Sequence, residues 1–547
     1  MRTAQRTFLA LSLAVSICIT GGLGYAANVF KHETPQYEKP PAFVPDQVVV
    51  AFKPGTPGEA KRAAHAQTGG RVINTHAAIN ADLVGIPSDT VLNKIAVYKH
   101  NPNVRYAEPN YYYTLDQPLE GDDPGVCNGG YFEEQWGLHN RGQGFLISSD
   151  TGNPCSITGA LDADIDWLEV WDSGTRGRDT IKIAIVDTGI ESTHPDFESK
   201  IVETWVASGI TTTEGPEDLI GHGTHVAGIA AAATNNGIGI SGVGINAMVG
   251  SLKACKCYPG PGVLCWTGIC EDWDTAEAIS YAAAEGYHVI NMSFGGPDDP
   301  QLMRDAVNQA LGAGLVLVSS AGNEYSFNEP SYPAAYNGVI AVAATDHYDN
   351  LASFSNFGNW VEVAAPGVNI FSTYPGAGCL DDPDCYNWLS GTSMASPMVA
   401  GAAALVFDSI GGAGPIVTSP ILRDAVIDAI LNNADHTGVL GQNMLAWTQH
   451  GRLNLQAALL GTPSAFCGDV ACNGNENQCT CPSDCGDPPL TEISCSDGMD
   501  NDCDGDFDCD DEDCNDNSAC IINCLPIGSK CSSNNECCSL DCRGKCR

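Results

Sequence analysis

Five short apolar runs separated by helix-forming stretches constrain this chain more than any other feature. The runs are Ile181 to Val186, Val249 to Lys253, Val289 to Met292, Val316 to Ser319 and Val339 to Ala343. Asp274 to Ala284 and Leu302 to Ala313 read as helices between them. Strands that are apolar along their whole length must be covered on both faces. With helices between them, they predict a mainly parallel α/β sheet in three layers. Sites in such sheets form at the carboxyl ends of the strands. Asp187 follows the first run, and Asn323 follows the fourth through Ser320-Ala321-Gly322.

A serine lies far downstream in Gly391-Thr392-Ser393-Met394-Ala395-Ser396-Pro397, ahead of the buried-helix pattern Met398 to Phe407. Read alone, Ser393 is either a helix-capping serine or a nucleophile. A nucleophilic serine needs a base, an acid to orient that base and a donor for the oxyanion. His222 opens the run Gly221-His222-Gly223-Thr224-His225 and supplies the imidazole, while Asp187 and Asn323 supply the other two groups. The order Asp, His, Asn, Ser resembles that of the subtilisin-like serine proteases, the subtilases, over roughly residues 118–460.

That resemblance implies a subtilisin-like fold and hydrolysis of peptide bonds in proteins through an acyl-enzyme. Ser393 would attack, His222 take the proton, Asp187 orient the imidazole and Asn323 donate to the oxyanion. Ser293, Phe294 and Gly295 would pair with the substrate backbone. Glu324 would lie at the rim of the first specificity pocket. Ser331, before Tyr332-Pro333, would lie at its base, with that proline bond cis. The resemblance also implies structural calcium. Asp196 and Asn236 would give side-chain oxygens, Thr234, Ile238 and Ile240 would give carbonyls, and Asp123 would be an N-terminal ligand.

Rival readings are weaker. Asp187-Thr188-Gly189 and Asp172-Ser173-Gly174 match an aspartic-protease triplet, but they lie 15 residues apart, too close for two lobes. His222 and His225 have metal-ligand spacing but no glutamate base between them. His225 reads instead as packed against a sheet.

The N-terminus reads as a secretory signal over residues 1–26. Arg2 and Arg6 precede an apolar stretch, Phe8 to Ile19, and Gly24-Tyr25-Ala26 offers small residues for cleavage. No later run reads as long and apolar enough to span a membrane. Removing Cys18 from the 25 cysteines leaves 24, an even number. Export and even pairing imply disulfides. Cys255, Cys257, Cys265 and Cys270 read as two disulfides rather than a zinc site. Cys379 with Cys385, and Cys127 with Cys155, occupy other insertions. With 25 Lys+Arg against 66 Asp+Glu, the net charge of −41 argues against nucleic-acid binding. A secreted monomer is expected.

Residues 44–115 read as a separate α+β ferredoxin-like domain, β-α-β-β-α-β. Its strands are Gln47 to Phe52, Ala81 to Ile86 and Val104 to Asn110. Its helices are Gly58 to Gln67 and one capped by Ser88 or Asp89. It resembles the inhibitor-type propeptide of subtilases, whose last segment lies in the active-site cleft like a product. The own propeptide would then be an intramolecular inhibitor, and the mature enzyme would begin between Tyr113 and Asp123.

Residues 462–547 form a cysteine-rich acidic tail of small disulfide-bonded modules. Asp497 to Asp516 holds eleven acidic residues and no Lys or Arg. Asp500, Asp502, Asp504, Asp506, Asp508 and Asp511 match the spacing of an EF-hand calcium loop, with cysteines interrupting it. The alternative is a solvated acidic run within 495–520. Residues 524–546 resemble a knottin. A different class of function would be a catalytically silent secreted protein that binds or adheres through this tail. The intact Asp187, His222, Asn323 and Ser393 argue against it.

Overall fold

The computed structural model describes residues 41–461 except 89, 116–118, 121–130, 143, 146–156, 212–213, 261–262, 377–384 and 413–415. The leader, Asp123, Asp89, Cys127, Cys155, Cys379 and the whole tail, with its calcium-loop aspartates, lie outside the described residues.

The N-terminal region runs β1 (Phe43–Phe52), α1 (Gly58–Thr68), β2 (Arg71–His76), β3 (Ala81–Gly85), α2 (Val91–Lys99) and β4 (Val104–Leu115). The sequence pattern left β2 unassigned, because its side chains are mostly exposed and carry little alternation. Thr90, not Ser88, occupies the N-cap of α2, and its side chain makes no capping bond. β1 lies between β3 and β4, antiparallel to both. Val48, Val50 and Val84 pack under the two helices, against Ile95 and Tyr98. Val49, Ala51 and Leu83 point the other way, as strand alternation requires, into the core of the larger domain.

β4 runs five residues beyond Asn110. The extension finds its partners in the other domain, so no pattern within residues 44–110 announces it. After β4 come β5 (Leu119–Glu120), the short ribbon β6 (Gly144–Phe145) and β7 (Ile157–Thr158), and α3 (Trp167–Asp172).

The larger domain continues with β8 (Lys182–Asp187), β9 (Ile201–Val206), α4 (His222–Ala231), β10 (Met248–Lys253), β11 (Cys255–Gly260), β12 (Val263–Glu271) and α5 (Asp272–Ala284). It proceeds through β13 (Val289–Met292), β14 (Phe294–Gly295), α6 (Gln301–Gly312), β15 (Val316–Ser320), β16 (Val339–Thr345) and β17 (Val363–Pro366). It ends with β18 (Ile370–Thr373), β19 (Tyr386–Ser390), α7 (Thr392–Ile410), α8 (Pro420–Leu431) and α9 (Leu455–Leu460).

Seven strands form the central sheet in the order β17-β16-β15-β13-β8-β10-β9. Every pairing in it is parallel. Ile183 and Ile185 of β8 face a core shared with α4, α7 and α8. Ala184 and Val186 face the opposite core, shared with α5 and α6. The expected three layers therefore form around strands that are apolar on both sides. The smaller domain lays the open face of its sheet over α5 and α6, where Ala51 and Leu83 join the cluster of Trp273, Leu302 and Met303.

The chain enters the sheet at its middle. β8 has β10 on one side and β13 on the other, so strand order reverses beside it. A crevice opens at the carboxyl end of strands flanking such a reversal. Asp187 is the last residue of β8.

α7 corrects two expectations. It begins at Thr392, not Met398, so Ser393 lies inside its first turn. It also has the length and mean hydropathy, 1.4, of a membrane-crossing segment, against the expectation that no such run followed the leader. Yet 89% of that window is buried inside the fold, which makes it the central core helix. Its small residues let it approach α4 closely. A Cβ added at Gly401 would lie 2.7 Å from the carbonyl oxygen of Ala230.

Candidate active site

Asp187 and His222 meet at the carboxyl end of β8, and Ser393 lies against the end of the neighbouring β13; each of the three is at most 2% exposed. Proline explains how Ser393 is held. Pro397 has no N–H, so the carbonyl of Ser393, four residues earlier, cannot make its helical hydrogen bond. The Ser293 hydroxyl donates to that carbonyl at 3.0 Å. The Ser393 hydroxyl in turn donates to the Ser293 carbonyl at 3.2 Å. The two bonds clamp the first turn of α7 to the end of β13. Ser393 also lies at the positive end of α7, which favours negative charge nearby.

His222 is the first residue of α4. Its Nδ1 meets Oδ1 of Asp187 at 2.8 Å and Oδ2 at 3.0 Å. A buried carboxylate accepts there, so Nδ1 carries the proton and Nε2 is left basic. Asp187 also accepts the Thr188 N–H at 2.7 Å. Asp218 shapes the turn before His222. It accepts from the N–H groups of Ile220, Gly221 and Thr224 and from the hydroxyls of Thr188 and Thr224. Sequence reasoning missed Asp218 and Thr188. The available signal was an aspartate just ahead of a helix start, where it satisfies free N–H groups. Gly223 has no room for a side chain, since a Cβ would lie 2.2 Å from the Gly189 carbonyl oxygen.

His225 lies one turn along α4 and bonds the carbonyls of Ile370 and Asn387 through Nε2. Burial pushes its pKa down to about 3, so it stays neutral and structural.

Asn323 follows β15. Its Oδ1 accepts from both the N–H and the hydroxyl of Thr392, each at 3.0 Å. That fixes the amide the right way round. Its Nδ2 is buried and has no hydrogen-bond partner among the described residues. The Gly391 backbone, next to the nucleophile, lies beside it: a Cβ there would be 3.2 Å from Nδ2. A fixed, desolvated donor of this kind is suited to stabilising a developing oxyanion. Thr392 was not singled out from the sequence, although it holds that donor in place.

The expected pairing surface is occupied. β4 runs between β12 and β14, with Phe294 opposite Leu115 and Gly295 opposite Thr114. β5 then pairs with β19 at Leu389 and Ser390, next to Gly391. The Cys255–Cys270 disulfide ties β11 to β12 behind this surface. Cys257 and Cys385 are disulfide-bonded as well. Ser331 sits beside Gly295, where an added Cβ would be 2.6 Å from its hydroxyl oxygen. The Tyr332–Pro333 bond is cis. Glu324 is exposed and accepts from Asn356 at 2.7 Å.

Asp196 and the loop of Thr234, Asn236, Ile238 and Ile240 also meet. Asp196 accepts from Asn236 Nδ2 and from the Ile240 N–H, each at 2.8 Å, and from the Tyr386 hydroxyl at 3.3 Å. All these donors are neutral, and burial raises the carboxyl to about 6. Gly239 leaves a cradle: a Cβ there would lie 2.0 Å from Asp196 Oδ2. A single buried carboxylate beside a tightly turned loop fits a hard cation held mainly by neutral oxygens. Among the described residues, no cluster of three or more His, Cys, Asp or Glu side chains is placed to hold a metal.

A fold that sets Asp187 against His222, with a buried side-chain donor bonded beside Ser393, suits a serine peptidase. Comparison narrows it. Residues 178–448 match the model of the subtilase family, and residues 33–110 match that of the fervidolysin N-terminal prodomain. A thermophilic serine proteinase of Bacillus sp. (strain AK1) is 35% identical over 410 residues, covering 73% of this chain and 89% of that protein. Thermitase of Thermoactinomyces vulgaris is 45% identical over 225 residues, covering 41% of this chain and 74% of that protein. Fervidolysin of Fervidobacterium pennivorans, described as a keratinolytic enzyme related to subtilisin, shares the fold. Its TM-score is 0.55 at 24% identity, over 77% of this chain and 62% of that one. The chain belongs to the subtilase family. It is a subtilisin-like serine endopeptidase made as a zymogen with an N-terminal prodomain.

Proposed function

We propose that Ser393 is the nucleophile, His222 its general base, Asp187 the orienting carboxylate and Asn323 the oxyanion donor. The Asp187–His222 contact, with the buried amide of Asn323 beside Ser393, carries this reading. Substrates would bind as an added strand along Ser293, Phe294 and Gly295, with Glu324 and Ser331 bordering the first pocket. The domains would fall at residues 1–26, 44–115, 118–460 and 462–547. The protein would be secreted, monomeric and active on polypeptides, and the tail would bind calcium.

The prodomain would inhibit by occupying that same strand position. β4 ends at Leu115, paired with Phe294 just after Ser293, and β5 begins at Leu119, paired with Ser390, three residues before Ser393. We therefore place self-cleavage between Leu115 and Leu119. N-terminal sequencing of the mature enzyme tests this, and a start outside Asp116 to Leu119 refutes it.

Prodomain docking should be pH-dependent. Glu108 of β4 accepts the N–H groups of Gln301 and Leu302 at the start of α6. Burial raises its pKa; Asp305 raises it further, while those two N–H groups and Lys99 lower it. Asp272 of α5 is raised well above its ordinary value by burial and by Glu108, and lowered by Tyr113. Carboxyls raised on docking bind protons more tightly in the complex. Their contribution is therefore full below the ordinary carboxylate range and fades as pH rises through the docked values. The dissociation constant of the cleaved prodomain, measured by inhibition from pH 5 to 8, should rise with pH. A flat or falling constant contradicts this.

Calcium would be held by Asp196 and Asn236 side chains and by carbonyls of Thr234, Ile238 and Ile240, with Asp123 as a further ligand. It would supply stability rather than chemistry. A ligand present at a hundred times its Kd stabilises the folded state by about 2.7 kcal/mol. Chelation of a chain truncated after Gly461 should lower Tm by several degrees, while initial rates in the cold barely change. An unchanged Tm, with metal removal verified by elemental analysis, refutes the site.

A further inference from the structure

β4 shows which side chains the cleft accepts. Tyr113 and Leu115 are two residues apart and share a face. Leu115 lies over Gly268, where an added Cβ would fall 2.0 Å from its Cδ1. Tyr113 is wholly buried, opposite Cys270 of β12, with its ring 5.7 Å from that of Phe294. Gly296 leaves room for that ring: a Cβ there would be 3.2 Å from Tyr113 Cδ1.

The end of this pocket is polar. Asp272, the first residue of α5, is wholly buried. Neither of its carboxyl oxygens, nor the Tyr113 hydroxyl, makes a hydrogen bond of normal geometry among the described residues. Asp272 lies two residues beyond Cys270, the strand partner of Tyr113; burial and Glu108 raise its carboxyl well above the ordinary range, and the Tyr113 hydroxyl lowers it. Glu108, Asp298 and Tyr336 are the other titratable groups acting on Tyr113. Glu108 belongs to the prodomain and departs with it.

We infer that Asp272 is a specificity-determining residue. It forms the polar end of the subsite that Tyr113 fills, and it selects substrates with a hydrogen-bond donor at the tip of that side chain, tyrosine over phenylalanine. This rests on the proposal that substrates take the place of β4. A phenol can donate to a carboxyl oxygen, which has acceptor capacity whether ionised or protonated. Phenylalanine would bury the same ring and bring no donor to Asp272. Sites built around a substrate hydroxyl discriminate strongly against analogues that lack it.

The test uses enzyme matured from the full chain and internally quenched peptides with the sequence of residues 110–120. Only the position of Tyr113 is varied, as tyrosine or phenylalanine, and products are mapped by mass spectrometry. The kcat/KM ratio of tyrosine to phenylalanine should be roughly tenfold or more in the native enzyme, and Asp272→Leu should abolish or invert it. The native ratio decides the matter even if that variant fails to mature. Equal kcat/KM for the two peptides, cut at one bond between the positions of Leu115 and Leu119, overturns the role of Asp272 alone. Cleavage of both peptides elsewhere, or of neither, overturns the strand-replacement reading and this inference with it.

Discussion

Replacing His222 with alanine is expected to lower kcat by about a million-fold, the order of loss found in subtilisin, and to leave the precursor uncut. A serine alcohol is a poor nucleophile at neutral pH, and only a nearby base makes it attack. His222 is the imidazole fixed for that task, with Nδ1 held by both oxygens of Asp187 at 2.8 and 3.0 Å. Alanine suits the start of a helix, so α4 should persist. Stopped assays with a protein substrate, electrophoresis of the precursor and circular dichroism check the three parts. Retention of more than one-thousandth of the activity would mean that another group takes the proton.

Asn323→Ala is expected to lower kcat about 10²- to 10³-fold while KM changes only a few-fold. The oxyanion exists mainly in the transition state, so its donor acts on turnover more than on binding. Here the donor is distinct, because the other end of the same amide is occupied by Thr392. Asn323→Asp keeps that acceptor and replaces the donor with a carboxylate. It should lose at least as much turnover, since an anion would then face the developing charge. Steady-state kinetics on one peptide separates kcat from KM. A loss confined to KM would assign Asn323 to substrate binding instead.

The parallel sheet was legible because β8, β10, β13, β15 and β16 are apolar on both faces, and that pattern has few other uses. β17 was not legible. Val-Ala-Ala-Pro is four residues long, and its burial depends on β16 alongside. β9 alternates half-buried and exposed positions over its first four residues as an edge strand, so it breaks the pattern of its neighbours. Pro397 hid the start of α7: a proline usually opens a helix, whereas here it sits in the sixth position and its lost bond is replaced by Ser293. Of the expected site residues, Asp187 bonds His222, and Asn323 bonds Thr392, the neighbour of Ser393. What the sequence could not disclose was the support around them. Thr392, Asp218 and Thr188 act through contacts between distant segments, and Tyr113 comes to the strand that leads to Asp272 only through the docked β4.

The most direct test of the central claim is covalent labelling of the mature enzyme with a fluorophosphonate, which reacts with activated serines. Peptide mapping by mass spectrometry should place a single adduct on Ser393, and the His222→Ala variant should remain unlabelled under the same conditions. An active preparation that stays unlabelled at Ser393, or that carries its adduct on another serine, would contradict the assignment.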